Sequence, residues 1–132
     1  MKKNGILNGE ISRAVALMGH GDSMTIADAG LPVPNSVELI DIAVTINIPR
    51  FLDVLKVVLS ELNVEEAVVA KEMEAVNLET YKEITRFLRG VKVSKVSHEE
   101  FKELTARTKV VIRTGEFTPY SNVILVSGAF PE

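Results

Sequence analysis

GHGDSMTIADAGLP, residues 19–32, decides how this chain is read. Met24, Thr25, Ile26 and Ala27 form a short, mostly apolar run between a glycine-bracketed turn and an aspartate, which predicts a buried strand over 24–28. Turn chemistry bounds it on both sides, with Gly19, Gly21 and Asp22 before it and Gly30 and Pro32 after it. His20 sits between the two glycines, and Asp28 closes the strand. Backbone without Cβ leaves room for a ligand and permits positive φ, and imidazole exchanges protons around neutrality. The pattern fits an acid/base site for a small polar ligand. It fits equally a helix end punctuated by glycine, with a histidine at the negative end of the dipole. Asp22 reads as a turn residue, whereas Asp28 stands where α/β sheets place ligand groups.

Working outward, Ile11, Ala14, Val15 and Met18 recur at helical spacing, so a helix over about 8–19 precedes that strand. A second strand is expected over 37–44, after the proline-bearing loop 30–35. Pro49 then opens an amphipathic helix with Phe51, Leu52, Leu55, Val58, Leu59 and Leu62 on one side. Residues 66–70 read as a short buried strand. Asn77 is placed to cap a helix with Leu78, Tyr81, Ile84 and Leu88 inward, ended by Gly90. A strand over 91–96 follows. Ser97 and Glu100 form a capping-box pattern that opens a helix with Phe101 and Leu104 inward. Strands over 109–114 and 123–126, joined by the loop 115–122, complete the chain. Strands alternating with helices predict an α/β fold: a single three-layer domain, residues 1–132, with a largely parallel sheet flanked by helices. The strand order is not fixed by this pattern.

Composition removes several function classes. The 132 residues are 46% hydrophobic and 25% charged, which is ordinary globular chemistry. A net charge of −3 and the absence of tryptophan supply neither the basic face nor the stacking surface of a nucleic-acid binder. No cysteine is present, so disulfides, thiolate nucleophiles and cysteine metal sites are excluded. MKKNGILNGE at the start has no apolar run behind its lysines, and nothing approaches the roughly 20 apolar residues of a membrane span. A cytoplasmic protein without a membrane partner is the expectation. Gly19-x-Gly21 is followed by Met24 where a dinucleotide fingerprint needs its third glycine, and it lies between a helix and a strand, in the wrong order. A metal-dependent hydrolase built on His20, Asp22 and Asp28 ranks last, because two histidines and scattered carboxylates carry no zinc spacing.

The loop 115–122, GEFTPYSN, is the second cluster of interest. Tyr120 offers a hydroxyl and a ring face, and Asn122 offers both donor and acceptor, the mixture that a sugar requires. Turn chemistry at Thr118–Pro119 and Ser121–Asn122 accounts for every residue there except Tyr120. His98 falls in the first turn of its helix, with Lys102 one turn later on the same face. A solvated helix start, with Lys102 paired to Glu99 or Glu103, explains that pair as well.

Taken together, these segments resemble the family of D-ribose pyranases and fucose mutarotases. The similarity runs end to end, from MKKNGILNGEISRAVALMGHGDSMTIADAGLP at 1–32 to RTGEFTPYSNVILVSG at 113–128, and lies nearer the ribose branch. The resemblance implies that His20 is the general acid and that Asp28, His98, Tyr120, Ser121 and Asn122 contact the sugar. Lys102 joins them through its helical proximity to His98. It implies interconversion of pyranose and furanose forms of D-ribose without metal, nucleotide or redox cofactor. It further implies a cytoplasmic homo-oligomer of five-membered rings, a decamer, with sites at subunit boundaries. In that arrangement His20 and Asp28 come from one subunit, Tyr120 and Asn122 from its neighbour. A non-catalytic ribose-binding module needs the same hydrogen-bonding residues, and the sequence leaves both readings open.

Overall fold

A computed structural model describes residues 1–130. These form helices α1 (Gly9–Ala16), α2 (Phe51–Leu59), α3 (Lys71–Val76), α4 (Leu78–Phe87) and α5 (His98–Thr105). The strands are β1 (Ser23–Ala27), β2 (Glu38–Asp41), β3 (Val64–Ala70), β4 (Lys92–Val96), β5 (Val110–Arg113) and β6 (Val123–Ser127). No helix among the described residues is long and apolar enough to cross a membrane.

Local chemistry explains most of the boundaries. Asn8 Oδ1 accepts from Ile11 N–H at 2.9 Å, and Ser97 Oγ accepts from Glu100 N–H at 3.1 Å, so α1 and α5 each begin on a side-chain cap. The apolar spacing of α2 buries Phe51, Val54, Leu55 and Val58. Helix α1 stops at Ala16, short of residue 19, with Leu17 as its C-cap residue and Met18 beyond it. Strand β2 is shorter than 37–44. Pro49 lies before the N-cap residue Arg50 rather than in the first turn. Helix α3 has no counterpart in the sequence reading: it follows β3 directly, and no side chain caps its start. Asn77 precedes α4 as expected, but its side chain does not cap that helix.

The strands join in the order β2-β5-β1-β6-β3-β4. Five run in one direction, and β6 lies antiparallel to both neighbours, β1 and β3. The reason is length. Segment 114–122 must carry the chain from β5 past β1 to the next place in the sheet, and it is shorter than the dozen or so residues that a parallel crossover takes. It therefore folds straight back, arching over the end of β1 as it goes.

Side chains alternate across this sheet and feed two cores. Met24, Ile26, Val110, Ile112, Val123 and Leu125 pack with residues of α1, α2 and α4 on one face. Ala27, Val111 and Ile124 pack with Phe101 and Leu104 of α5 on the other. The result is a sheet between helical layers, as the alternation of elements predicts.

Candidate functional site

The carboxyl ends of the parallel strands and the start of β6 meet at one edge of the sheet, the place where open α/β sheets hold ligands. Asp28 leaves β1 there, Arg113 ends β5, and His98 follows β4. The arch 114–122 passes over them. Together they enclose an open cavity of about 360 Å³, with Leu31, Pro32 and Phe117 as apolar wall and Asp28, His98, Arg113, Glu116 and Tyr120 as polar groups. Such a mixture of donors, acceptors and apolar surface suits a small polyol better than a purely apolar ligand.

Each of these groups is fixed from behind. Asp28 Oδ1 accepts from Gly30 N–H at 3.0 Å and Oδ2 from Asn122 Nδ2 at 3.1 Å, while Asp28 N–H donates to Asn122 Oδ1 at 2.8 Å. Burial raises the Asp28 carboxyl above its ordinary value, against the opposing pull of the Gly30 and Asn122 bonds. His98 N–H donates to both carboxylate oxygens of Glu72, each at 3.1 Å. Burial would raise Glu72, but that bond helps to bring its carboxyl below the ordinary value. The His98 ring meets Tyr120 edge to face, with centroids 5.0 Å apart at 84°. His98 Nδ1 is buried without a hydrogen-bond partner among the described residues.

Glu116 anchors the arch. Its carboxylate accepts from Arg50 Nε and an Arg50 terminal nitrogen at 3.2 and 2.9 Å, from Phe51 N–H at 3.1 Å, and from the Thr118 hydroxyl at 2.7 Å. Burial alone would raise this carboxyl; the Arg50, Thr118 and Phe51 bonds outweigh it and bring it down to about 2. The Glu116 carbonyl accepts from Ala29 N–H at 2.8 Å, which ties the arch to the loop after Asp28. Arg113 adds a second tie, donating through Nε to Ala29 O at 2.9 Å while pairing with Asp41.

The residues singled out in the sequence separate into three groups. Asp28, His98 and Tyr120 line the cavity. Ser121 and Asn122 are buried behind it, the first accepting from Asn77 and the second bonded to Asp28. Lys102 is outside the lining and pairs with Glu99 at 2.8 Å. His20 lies elsewhere: it precedes β1, whereas Asp28 follows it, and a five-residue strand spans roughly 16 Å. His20 Nε2 is 3.0 Å from Glu65 Oε2 in an exposed pair, beside a different groove. The expected division therefore needs correction, because Asp28, Tyr120 and Asn122 converge within one chain and His20 is the residue apart. Asp22 is the turn residue it was read as, accepting from Gly19 N–H at 2.8 Å and pairing with Lys109. With His20 and Asp22 at one end of β1 and Asp28 at the other, these three do not form a common site.

Arg113, Glu116, Glu72 and Asn77 escaped the sequence reading. Asp41 and Arg50, the partners of the first two, lie 72 and 66 residues away in the chain, so no local spacing marks them. Asn77 was visible only as a helix-cap residue.

Residues 1–130 match the sequence model of the RbsD / FucU transport protein family. The chain is 52% identical over 128 residues to a D-ribose pyranase of Coprothermobacter proteolyticus, covering 97% of this chain and 98% of that protein. It is 51% identical over the same span to a D-ribose pyranase of Bacillus cytotoxicus. Among solved structures, Bacillus subtilis RbsD complexed with D-ribose superimposes with a TM-score of 0.96 at 45% identity, covering 99% of this chain and 100% of that one. A fucose mutarotase from Streptococcus pneumoniae in complex with L-fucose shares the fold, with a TM-score of 0.80 at 20% identity. A family match over nearly the whole chain, joined to half-identical relatives of the same length, makes this protein a member of the RbsD / FucU transport protein family.

Proposed function

We propose that this protein is a D-ribose pyranase, an isomerase that interconverts the pyranose and furanose forms of D-ribose. The observation that carries the reading is the cavity of Asp28, His98 and Tyr120 in a chain that superimposes on a ribose-bound relative. In the reaction the bond from C1 to the ring oxygen breaks. That oxygen gains a proton, while the anomeric hydroxyl loses one and becomes the aldehyde. Reclosure through the 4-hydroxyl reverses the proton movements and gives the five-membered ring. Positioned acid and base groups supply about 10²–10⁴-fold in such a step.

His20 is the acid in this proposal. It reaches the cavity from a neighbouring copy, since it stands at the far end of β1 in its own chain. Asp28 holds the sugar, His98 and Tyr120 fix its hydroxyl pattern, and Ser121 and Asn122 keep the arch and Asp28 in register. Lys102 contributes only when its exposed pair with Glu99 opens, which costs little. A homo-oligomer follows, built from five-membered rings as a decamer. Exposed Val44, Ile46 and Phe117 beside the cavity, and the edge-strand residue Leu39, support a partner copy at this rim. We place the protein in the cytoplasm, where sugars are phosphorylated: the 5-hydroxyl of ribose is locked in the pyranose ring and free in the furanose.

NMR magnetisation exchange on D-ribose tests the reading, with protein absent, with wild type and with His20→Ala. Wild type is expected to speed transfer between pyranose and furanose signals, and His20→Ala to lose that while retaining ribose binding. Ribose binding without accelerated exchange would make the protein a sugar-binding module instead.

A further inference from the structure

Asn77 stands where an amide ordinarily caps the following helix, yet it makes no such bond to α4. Only 8% exposed, it turns its side chain toward the arch instead. Nδ2 donates to Pro119 O at 3.0 Å and to Ser121 Oγ at 2.9 Å. Those two acceptors flank Tyr120. Among the described residues, the hydrogen bonds that segment 119–121 receives from outside its own loop both come from Asn77.

Tyr120 needs such a brace. Its φ of +63° puts a bulky residue in the left-handed region, where Cβ crowds the backbone. A conformation of this kind persists where its surroundings over-determine it. The orientation also matters beyond the backbone. It brings the ring against His98 and into the cavity, and Asn122 N–H donates to Tyr120 O at 2.9 Å before its side chain engages Asp28. A disturbance at 119–121 thus reaches three groups that face the sugar.

We infer that Asn77 is a positioning residue for the sugar site, holding the Pro119 carbonyl on one side of Tyr120 and the Ser121 hydroxyl on the other so that the ring stays beside His98. The inference rests on reading the cavity as the ribose site. The side-chain chemistry is specific. One amide nitrogen carries two hydrogens and can bond a carbonyl and a hydroxyl from a single point. An aspartate of the same shape keeps one arm, because the Ser121 hydroxyl can turn to donate to it. It loses the other, because the Pro119 carbonyl has no hydrogen to give.

Ribose exchange kinetics and thermal melting test this on wild type, Asn77→Asp, Asn77→Ala, Tyr120→Ala and the double variant Asn77→Asp/Tyr120→Ala. Asn77→Asp is expected to raise the ribose KM about tenfold, with a smaller change in kcat and a melting temperature lowered by roughly 3–8 °C, because a carboxylate then faces the Pro119 carbonyl. The rise should shrink in the Tyr120→Ala background, where the clamp has no ring left to place and acts only through Asn122 on Asp28. An equal rise with and without Tyr120 overturns the inference, as does a lowered melting temperature with KM unchanged. Asn77→Asp keeps the side-chain volume and carries the test if Asn77→Ala does not fold. The chain has two tyrosines and two histidines, so labelled rings are readily assigned by NMR. Loss of the Tyr120–His98 contact in Asn77→Asp is expected whether or not the protein turns over ribose, and retention of that contact overturns the clamp. If wild type accelerates no exchange, the ribose reading fails while the ring contact still judges Asn77.

Discussion

Glu116 is a buried carboxylate whose worth comes from the donors around it. Its folded value of about 2 lies below the ordinary 4.5, so its stabilisation is complete above about pH 4.5 and is lost as pH falls toward 2. At 5% exposure the group is little screened, and the shift corresponds to about 3 kcal/mol. Glu116→Gln keeps the shape and removes the charge. Arg50 is half-exposed and can return to water, so the substitution is expected to cost about 2–3 kcal/mol at pH 7. Denaturant unfolding at pH 7 and again near pH 3 checks this, since below about pH 4.5 the unfolded chain takes up a proton at Glu116 that the folded protein does not yet bind, and the gap between the two proteins should narrow. None of this is written near residue 116 in the sequence. Asp28 and Tyr120 stood out through their own chemistry, whereas Glu116 acquires its role from Arg50 and Phe51, brought to it by the fold.

The arch 114–122 is the element on which the cavity depends, and Gly115 lets it sit where it does. A Cβ at Gly115 would collide with the carbonyl oxygens of Ile48 and Thr45, which belong to backbone and cannot swing aside. Gly115 N–H also donates to Pro49 O at 2.9 Å, and its carbonyl accepts from Asn47 N–H at 2.7 Å, so the two loops are locked face to face. Gly115→Ala is expected to destabilise the fold by about 2 kcal/mol or more and to weaken ribose binding. Gly9→Ala is the matching control, because a Cβ there meets nothing within 4 Å and alanine favours the helix. Calorimetry with ribose titration separates the two variants. The regular elements were mostly legible because their signals are local, as with the apolar face of α2 and the cap of α5. Helix α3 was not. It starts without a cap directly after a strand, and Asn77 at its end is diverted by a loop some forty residues further along.

At the scale of the whole molecule, the proposed role of His20 would make assembly part of the chemistry. A site that takes Asp28 from one copy and His20 from another can be rebuilt from two inactive chains. Subunits carrying His20→Ala and subunits carrying Asp28→Ala, unfolded together and refolded in equal amounts, should regain about a quarter of the wild-type sites in the random mixture. Exchange rates on the mixture, set against each variant refolded alone, measure this. No recovery would mean that both groups act within one chain.

The antiparallel course of β6 has a consequence for how the molecule is made. On a nascent chain, β1, β2 and β5 can form one parallel ribbon and β3 and β4 another, but the strand that lies between them is synthesised after all five. Until residues 123–127 leave the ribosome, β1 and β3 each present a bare hydrophobic edge of the kind that invites aggregation. The arch leads directly into that late strand, and Asn122 at their junction fixes Asp28. Closing the sheet and finishing this chain's own share of the cavity are therefore a single event in the life of the polypeptide, and no half-built chain can offer that cavity to a neighbour.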